Sequence, residues 1–290
     1  MGESHTQILF TGIGVGAPEE RQMVDATIDV LDRGALQCDQ NYMVEAKVFA
    51  THDEQNPDLD YGEIPVWSLV IDHPEGTILW DTGSHHDALE GHWPEGLSQA
   101  FYPHDAHEHR LDDDLEEAGY GIEDIDYVFQ THLHLDHAGG LEFFDGTDVP
   151  VFVHEEELKF AYYSAKTDQG SSAYVLEDFD HDLNWHVLHR DREQHFEDVE
   201  FLHFPGHTPG LTGTMIHLDD EGTIVFTGDQ LYQTPNYEEG IPLGGPLVWG
   251  KTQWRESLEL IRSLERRHDA EIVLGHDYDQ FEEIRDGWGQ

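Results

Sequence analysis

Twelve residues constrain this chain more than any others. In DYVFQTHLHLDH, 126–137, an apolar strand pattern runs straight into His132, His134, Asp136 and His137. Sheets present their chemistry at strand C-termini. In extended chain, residues i and i+2 point the same way. His132 and His134 are therefore expected to converge on one metal ion. If the following DHAGGLEFF turns into a helix, Asp136 and His137 leave in other directions and serve a second ion close by. Gly139 and Gly140 let backbone pack tightly behind such a site.

The remaining ligands should also lie at strand ends. VEFLHFPGHTPG runs from a strand into a turn that presents His207, TIVFTGD ends in Asp229, and AEIVLGHD presents His276. A glycine precedes each of the three, which allows close backbone approach. Five histidines and two carboxylates suit two borderline ions such as zinc, with one carboxylate bridging. Two such ions roughly 3.5–4 Å apart hold a hydroxide and clamp an oxyanion. The chain has 22 histidines, so a single one carries little weight; His73, His85, His86, His92, His154 and His203, among others, are read as ordinary core or surface residues.

Elsewhere, apolar runs read as strands at 43–50, 64–71, 77–83, 149–154, 199–204, 213–218, 223–229 and 270–276. Helical patterns occupy 109–120, ending at Gly119, 155–165, and 254–267, where Trp254, Leu258, Ile261 and Leu264 share a face. Two sheets with helices outside, a layered α/β body, follow from this order. With no repeat, linker or abrupt change of composition, residues 1–290 are expected to form a single domain. Residues 244–254 and 159–165 hold aromatics that suit a pocket lining, a contact in a homodimer, or plain core.

Composition removes several functions. Sixty-two acids face fourteen bases, for a formal charge of −48, so nucleic acid and anionic membrane are excluded as partners. No stretch approaches the roughly 18 apolar residues of a membrane span. The acids are scattered through patterned segments, which implies an acidic skin on a folded protein and adaptation to high salt. Cys38 is the lone cysteine, which suits a cytoplasmic chain. Two N-terminal patterns are set aside. Gly2–Thr6 matches a myristoylation signal, but no basic patch follows as a second anchor. GIGVGA, Gly12–Ala17, matches a dinucleotide fingerprint, yet Pro18, Glu19 and Glu20 follow it and Asp32 is placed at a helix end, so it is read as a flexible turn.

The order HLHLDH, PGHTPG, FTGD, LGHD resembles the metallo-β-lactamase superfamily over about residues 60 to 280. The resemblance implies an αββα sandwich of two mixed β-sheets with outer helices and a metal site between them. LWDTG resembles that superfamily's early aspartate, which makes Asp81 a partner of the metal ligands. Three features are similar to the N-acyl homoserine lactone lactonases, the quorum-quenching lactonases: Tyr232 in GDQLY, the segment 236–245, and the segment 64–83. The resemblance implies that His132, His134 and His207 bind metal 1, that Asp136, His137 and His276 bind metal 2, and that Asp229 bridges. It further implies that Tyr232 steadies the substrate carbonyl. Leu135 departs from members with an aromatic there, which leaves acyl preference open.

The reaction so implied is hydrolytic opening of a lactone ring, with hydroxide attacking the carbonyl carbon and Asp136 carrying the proton. The alternative is a glyoxalase II-like thioester hydrolase or another metal-dependent ester hydrolase. Thioester hydrolases of that type add a C-terminal helical domain with bases for glutathione, whereas the 14 residues after His276 hold only Arg285. Nucleases of this fold need a basic surface. Flavodiiron enzymes replace part of the histidine motif with Glu and add a flavin domain.

Overall fold

The structure is a computed structural model that describes residues 23–167 and 169–289. Gly2–Thr6 and Gly12–Ala17 lie outside the described residues. Among the described residues, twelve strands form two sheets: β1 (Thr27–Asp39), β2 (Tyr61–Asp72), β3 (Ile78–Trp80), β4 (Phe101–Tyr102), β5 (Tyr127–Phe129), β6 (Pro150–His154), β7 (Asn184–Leu188), β8 (Arg192–Gln194), β9 (Val199–His203), β10 (Thr212–Leu218), β11 (Gly222–Phe226) and β12 (Glu271–Val273). The first sheet has the order β4-β1-β2-β3-β5-β6-β7 and the second β12-β11-β10-β9-β8. Both are mixed. In the first, β3, β5, β6 and β7 run parallel; in the second, only β11 and β12 do.

The helices are α1 (Glu95–Ala100), α2 (Leu111–Ala118), α3 (Glu155–Thr167), α4 (Leu176–Phe179), α5 (Thr234–Glu238), α6 (Lys251–His268) and α7 (Tyr278–Ile284). The sheets face each other across an apolar layer in which Trp67, Trp80, Phe129, Phe201 and Phe226 meet. Trp67 and Trp80 stack with centroids 5.2 Å apart. The Trp80 indole N–H crosses the layer to donate to Thr214 Oγ1 at 3.0 Å, so its one polar atom is satisfied inside the core. α2 and α3 cover the outside of the first sheet through Leu111, Leu115 and Ala161. α6 covers the second through Trp254, Leu258, Ile261 and Leu264, and its last turn carries Arg266, Arg267 and His268, where cations suit the helix dipole. No helix among the described residues is long and apolar enough to cross a membrane.

Three expectations are corrected. Residues 43–50 form turns, not a strand: Met43 and Val44 are buried, but their N–H groups return to Gln40 O, and Glu45 N–H donates to Pro242 O. The apolar run is core without a sheet partner. Asp32 lies inside β1, beside a bulge before Ala35, and not at a helix end. After His137 the chain makes only the short 3-10 turn Leu141–Phe144 rather than a helix.

Candidate metal centre

All seven expected ligands meet at one end of the sandwich. His132 follows β5, His207 follows β9, Asp229 follows β11 and His276 follows β12, so loops after four strands converge. Two local features press the first loop into shape. A Cβ at Gly139 would run into the backbone of Ser84 and His85, so only glycine lets these segments touch. Asp81, just after β3, has a left-handed φ of 56° and is fully buried, accepting from Thr131 N–H at 2.8 Å and Thr131 Oγ1 at 2.7 Å.

Distances divide the ligands into two sets. In the first, His207 Nε2 lies 3.3 Å from His132 Nε2 and 2.8 Å from His134 Nδ1. In the second, Asp136 carboxylate oxygens lie 3.8 Å from His137 Nε2 and 3.7 Å from His276 Nε2. Asp229 faces both. Its Oδ2 is 3.5 Å from His132 Nε2 and 3.4 Å from His207 Nε2, while its Oδ1 is 3.1 Å from His137 Nε2 and 3.2 Å from His276 Nε2. Ligand atoms about 2.0–2.1 Å from a tetrahedral ion stand roughly 3.3 Å apart, and most of these separations are close to that. His132 and His134 converge as expected, but through different nitrogens, Nε2 from one and Nδ1 from the other.

The outer nitrogens decide whether this set can hold cations. His207 Nδ1–H donates to Leu247 O and His276 Nδ1–H to Pro65 O, each at 2.8 Å. His137 Nδ1–H donates to Asp81 Oδ2 at 2.8 Å. Thr131 spends its hydroxyl proton on Asp81, so it accepts from His132 Nδ1–H at 3.0 Å. As neutral rings, four imidazoles thus turn Nε2 lone pairs inward, toward one another and toward a carboxylate. His137 Nε2 and Asp229 Oδ1 are buried without a hydrogen-bond partner. Nitrogens and carboxylate oxygens gathered this closely are stabilised by cations, whether protons or metal ions, and fixed outer partners of this kind orient metal-binding histidines. The fifth, His134, has Ser171 Oγ 3.4 Å from its outer nitrogen. The residues therefore fit two divalent ions.

Electrostatics agree with the two sets. Burial and neighbouring imidazoles hold His132 and His134 well below their ordinary pKa. Burial acts the same way on His137, but Asp229, Asp136 and Asp81 outweigh it and raise that residue well above 6.5. The field that draws a proton to His137 is the field that would draw a metal ion. Asp229 is held ionised well below its usual range: burial opposes this, and the surrounding histidines override it. Burial, then Asp229 and Asp136, push the Tyr232 phenol well above 10, so it keeps its proton. Its hydroxyl lies 3.4 Å from His207 Nδ1 and its ring 4.8 Å from that of His276. Beside it, Leu36, Met43, Ile64, Phe101, Leu135 and Leu247 wall a small apolar cavity.

The metallo-beta-lactamase superfamily model matches residues 61–276. The chain belongs to that superfamily. Among superfamily members, an N-acyl homoserine lactonase from Bacillus sp is 30% identical over 249 residues, 82% of this chain and 93% of its own length. N-acyl homoserine lactonase AiiB from Agrobacterium fabrum is 29% identical over 262 residues, 87% of this chain and 94% of its own. A solved structure of an N-acyl homoserine lactone hydrolase, with the product N-hexanoyl-L-homoserine at its catalytic metal centre, covers 90% of this chain and 97% of its own at TM-score 0.76 and 24% identity, and so shares the fold. AidC, a dizinc quorum-quenching lactonase, shares the fold at TM-score 0.62 and 19% identity, covering 89% of each chain.

Two groups lay outside the sequence expectations. Ser171 carries no motif, and nothing local marks it. Glu157 is fully buried behind the first ligand set; in sequence it cannot be told from its neighbours Glu155 and Glu156. Of the aromatic stretches, 244–254 supplies Leu247 to the cavity wall and Trp254 to the core, while Phe160 and Tyr162 of 159–165 pack on the core under the first sheet.

Proposed function

We propose that this chain is a dinuclear-metal hydrolase that opens lactone rings, with an N-acyl homoserine lactone as substrate. One observation carries the reading: Asp229 turns one oxygen to each ligand set, and the protonated Tyr232 hydroxyl stands beside them. The lactonase relatives support the substrate class. His132, His134 and His207 would hold metal 1, Asp136, His137 and His276 metal 2, and Asp229 both; the imidazole and carboxylate donors favour zinc. Two such ions supply water activation near neutral pH and Lewis-acid polarisation of a carbonyl. Tyr232 donates to the carbonyl oxygen as negative charge grows on it. Asp136, whose side chain alone among the seven is more than a tenth exposed, takes the proton from the attacking water and hands it to the leaving alkoxide. The apolar wall shields the reacting carbonyl from bulk water.

Purified protein with its metal content measured should hydrolyse acyl homoserine lactones faster than thioesters. Tyr232→Phe should keep both ions and lower kcat/KM roughly tenfold, less than the 10²–10³ ceiling for an oxyanion donor because the ions share the charge. Lactones left intact while thioesters turn over would replace the lactonase reading with its alternative.

The same proposal covers the whole chain, 1–290, as one such domain, a cytoplasmic setting and high salt. Among the described residues most bases already sit in ion pairs, as in Lys47–Asp60, Lys166–Asp180 and Arg285–Asp32, so the excess acids face one another through solvent. Screening lengths shrink from about 10 Å at 0.1 M salt to about 3 Å at 1 M. The melting temperature should therefore rise between 0.1 and 3 M KCl, and a flat or falling midpoint sinks the halophilic reading.

A further inference from the structure

Glu157 sits in the first turn of α3 with none of its surface exposed. Its neighbours Glu155 and Glu156 reach solvent and pair with Lys159. Glu157 instead collects donors from three separate segments. Its Oε1 accepts from Leu133 N–H at 3.0 Å and from Tyr174 hydroxyl at 2.7 Å, and its Oε2 accepts from Thr208 Oγ1 at 2.5 Å. Burial raises the Glu157 pKa, and these donors, with the nearby Gly210 backbone, oppose that rise by favouring the carboxylate. A Cβ at Gly210 would collide with the Glu157 backbone, so the 206–210 turn is pressed directly onto the helix.

The identity of these donors matters. Leu133 stands between His132 and His134, and Thr208 immediately follows His207. The Tyr174 ring packs on the His134 ring with centroids 4.5 Å apart. Every residue of the first ligand set is thus adjacent to, or packed on, a group that Glu157 holds. Asp136, His137 and His276 have no such link to it; Asp81 and Pro65 orient His137 and His276. A buried carboxylate has no proton of its own to place and can accept from four donors at once. Removing it leaves those donors unsatisfied next to the site, and the two loops lose their common tie.

We infer that Glu157 is a positioning residue for metal 1: it fixes the 131–134 loop and the 206–210 turn in the register that lets His132, His134 and His207 share one ion, and it leaves metal 2 to other supports. This rests on the two-metal reading of the centre. It predicts an asymmetric defect. Partners that orient metal ligands typically change affinity by about 10–100-fold, and here the change should fall on one ion of the two.

The test is metal titration. Protein stripped with chelator is titrated with Co2+ and followed by its visible absorption, for the parent, Glu157→Gln, Thr208→Val and Tyr174→Phe. His207→Ala and His276→Ala serve as references for loss of a ligand to metal 1 and metal 2. Glu157→Gln should bind one Co2+ with parental affinity and the other roughly 10–100-fold more weakly. Its one-ion spectrum should match that of His207→Ala and not that of His276→Ala. Thr208→Val and Tyr174→Phe, which each remove one donor and keep the shape, should weaken the same ion less; they decide the matter if Glu157→Gln does not fold. Parental affinity for both ions in all three variants, however far the melting temperature falls, would make Glu157 a residue of stability alone. So would weakening of both ions alike, or of the ion that His276 holds. A parent that takes up fewer than two Co2+ would instead remove the two-metal reading beneath the inference.

Discussion

Two clusters of histidines lie on either side of Gly139, and only one is built for cations. In the cluster around Asp229, four of five outer nitrogens donate to fixed acceptors, which leaves lone pairs facing inward. In the other, His85, His86 and Glu142 also bring ligand atoms within 4.8 Å of one another. There the proton is on the wrong nitrogen. His85 Nδ1 accepts from Asp87 N–H at 3.0 Å, so its Nε2 carries the hydrogen and points it at Glu142, 3.5 Å away. His92, stacked on His85 with centroids 3.6 Å apart, spends its own Nε2 on Asp178 at 2.5 Å. Equal crowding gives opposite chemistry, and the difference is set by what the far side of each ring touches.

The largest effect is expected at Asp229. Asp229→Ala removes the one group shared by both ligand sets, and activity should fall more than about 100-fold, beyond the roughly 10–100-fold typical of outer partners. Elemental analysis should show loss of at least one ion per chain; two ions retained with near-parental rate would refute a bridging role.

A smaller effect is expected in the His85 cluster. His85→Asn should leave the metal count and the hydrolytic rate unchanged, and a lost ion would show that the second cluster binds metal after all. Its signature is instead in acid. Burial, helped by His92 and His86, pulls the His85 pKa from 6.5 down to about 4. Between those values the unfolded chain binds a proton that the folded chain refuses, so this residue costs stability as pH falls through the window. Thermal melts from pH 6.5 to 4 should therefore fall less steeply for His85→Asn than for the parent. An equal slope would mean that His85 titrates normally in the folded protein.

Much of this was legible in the sequence because ligands at the ends of apolar strands leave a double signal, periodicity and then chemistry. β5, β9, β11 and β12 each carry it. β1 did not: Asp29, Asp32 and Gly34 interrupt its apolar residues, and its bulge breaks the two-residue alternation. β7 and β8 lie at sheet edges with half-exposed faces, where few apolar residues are needed. Met43 and Val44 misled in the other direction, since burial alone does not distinguish a turn folded into the core from a strand. Asp81 could be found from LWDTG, whereas Glu157 becomes distinct only when three remote segments fold onto it.

The spread of the ligands along the chain also has a consequence for folding. His132 and His276 come together only when β5 and β12 have both joined their sheets. An unfolded chain offers the local run 132–137 but never the complete set, so ions that occupy the centre bind the native state selectively. Each ion at a free concentration 100 times its Kd adds about 2.7 kcal/mol to the stability of the fold. In a domain whose surface charges oppose compaction, the supply of metal ions would then act on the lifetime of the protein as well as on its rate, and a chelator would lower its stability.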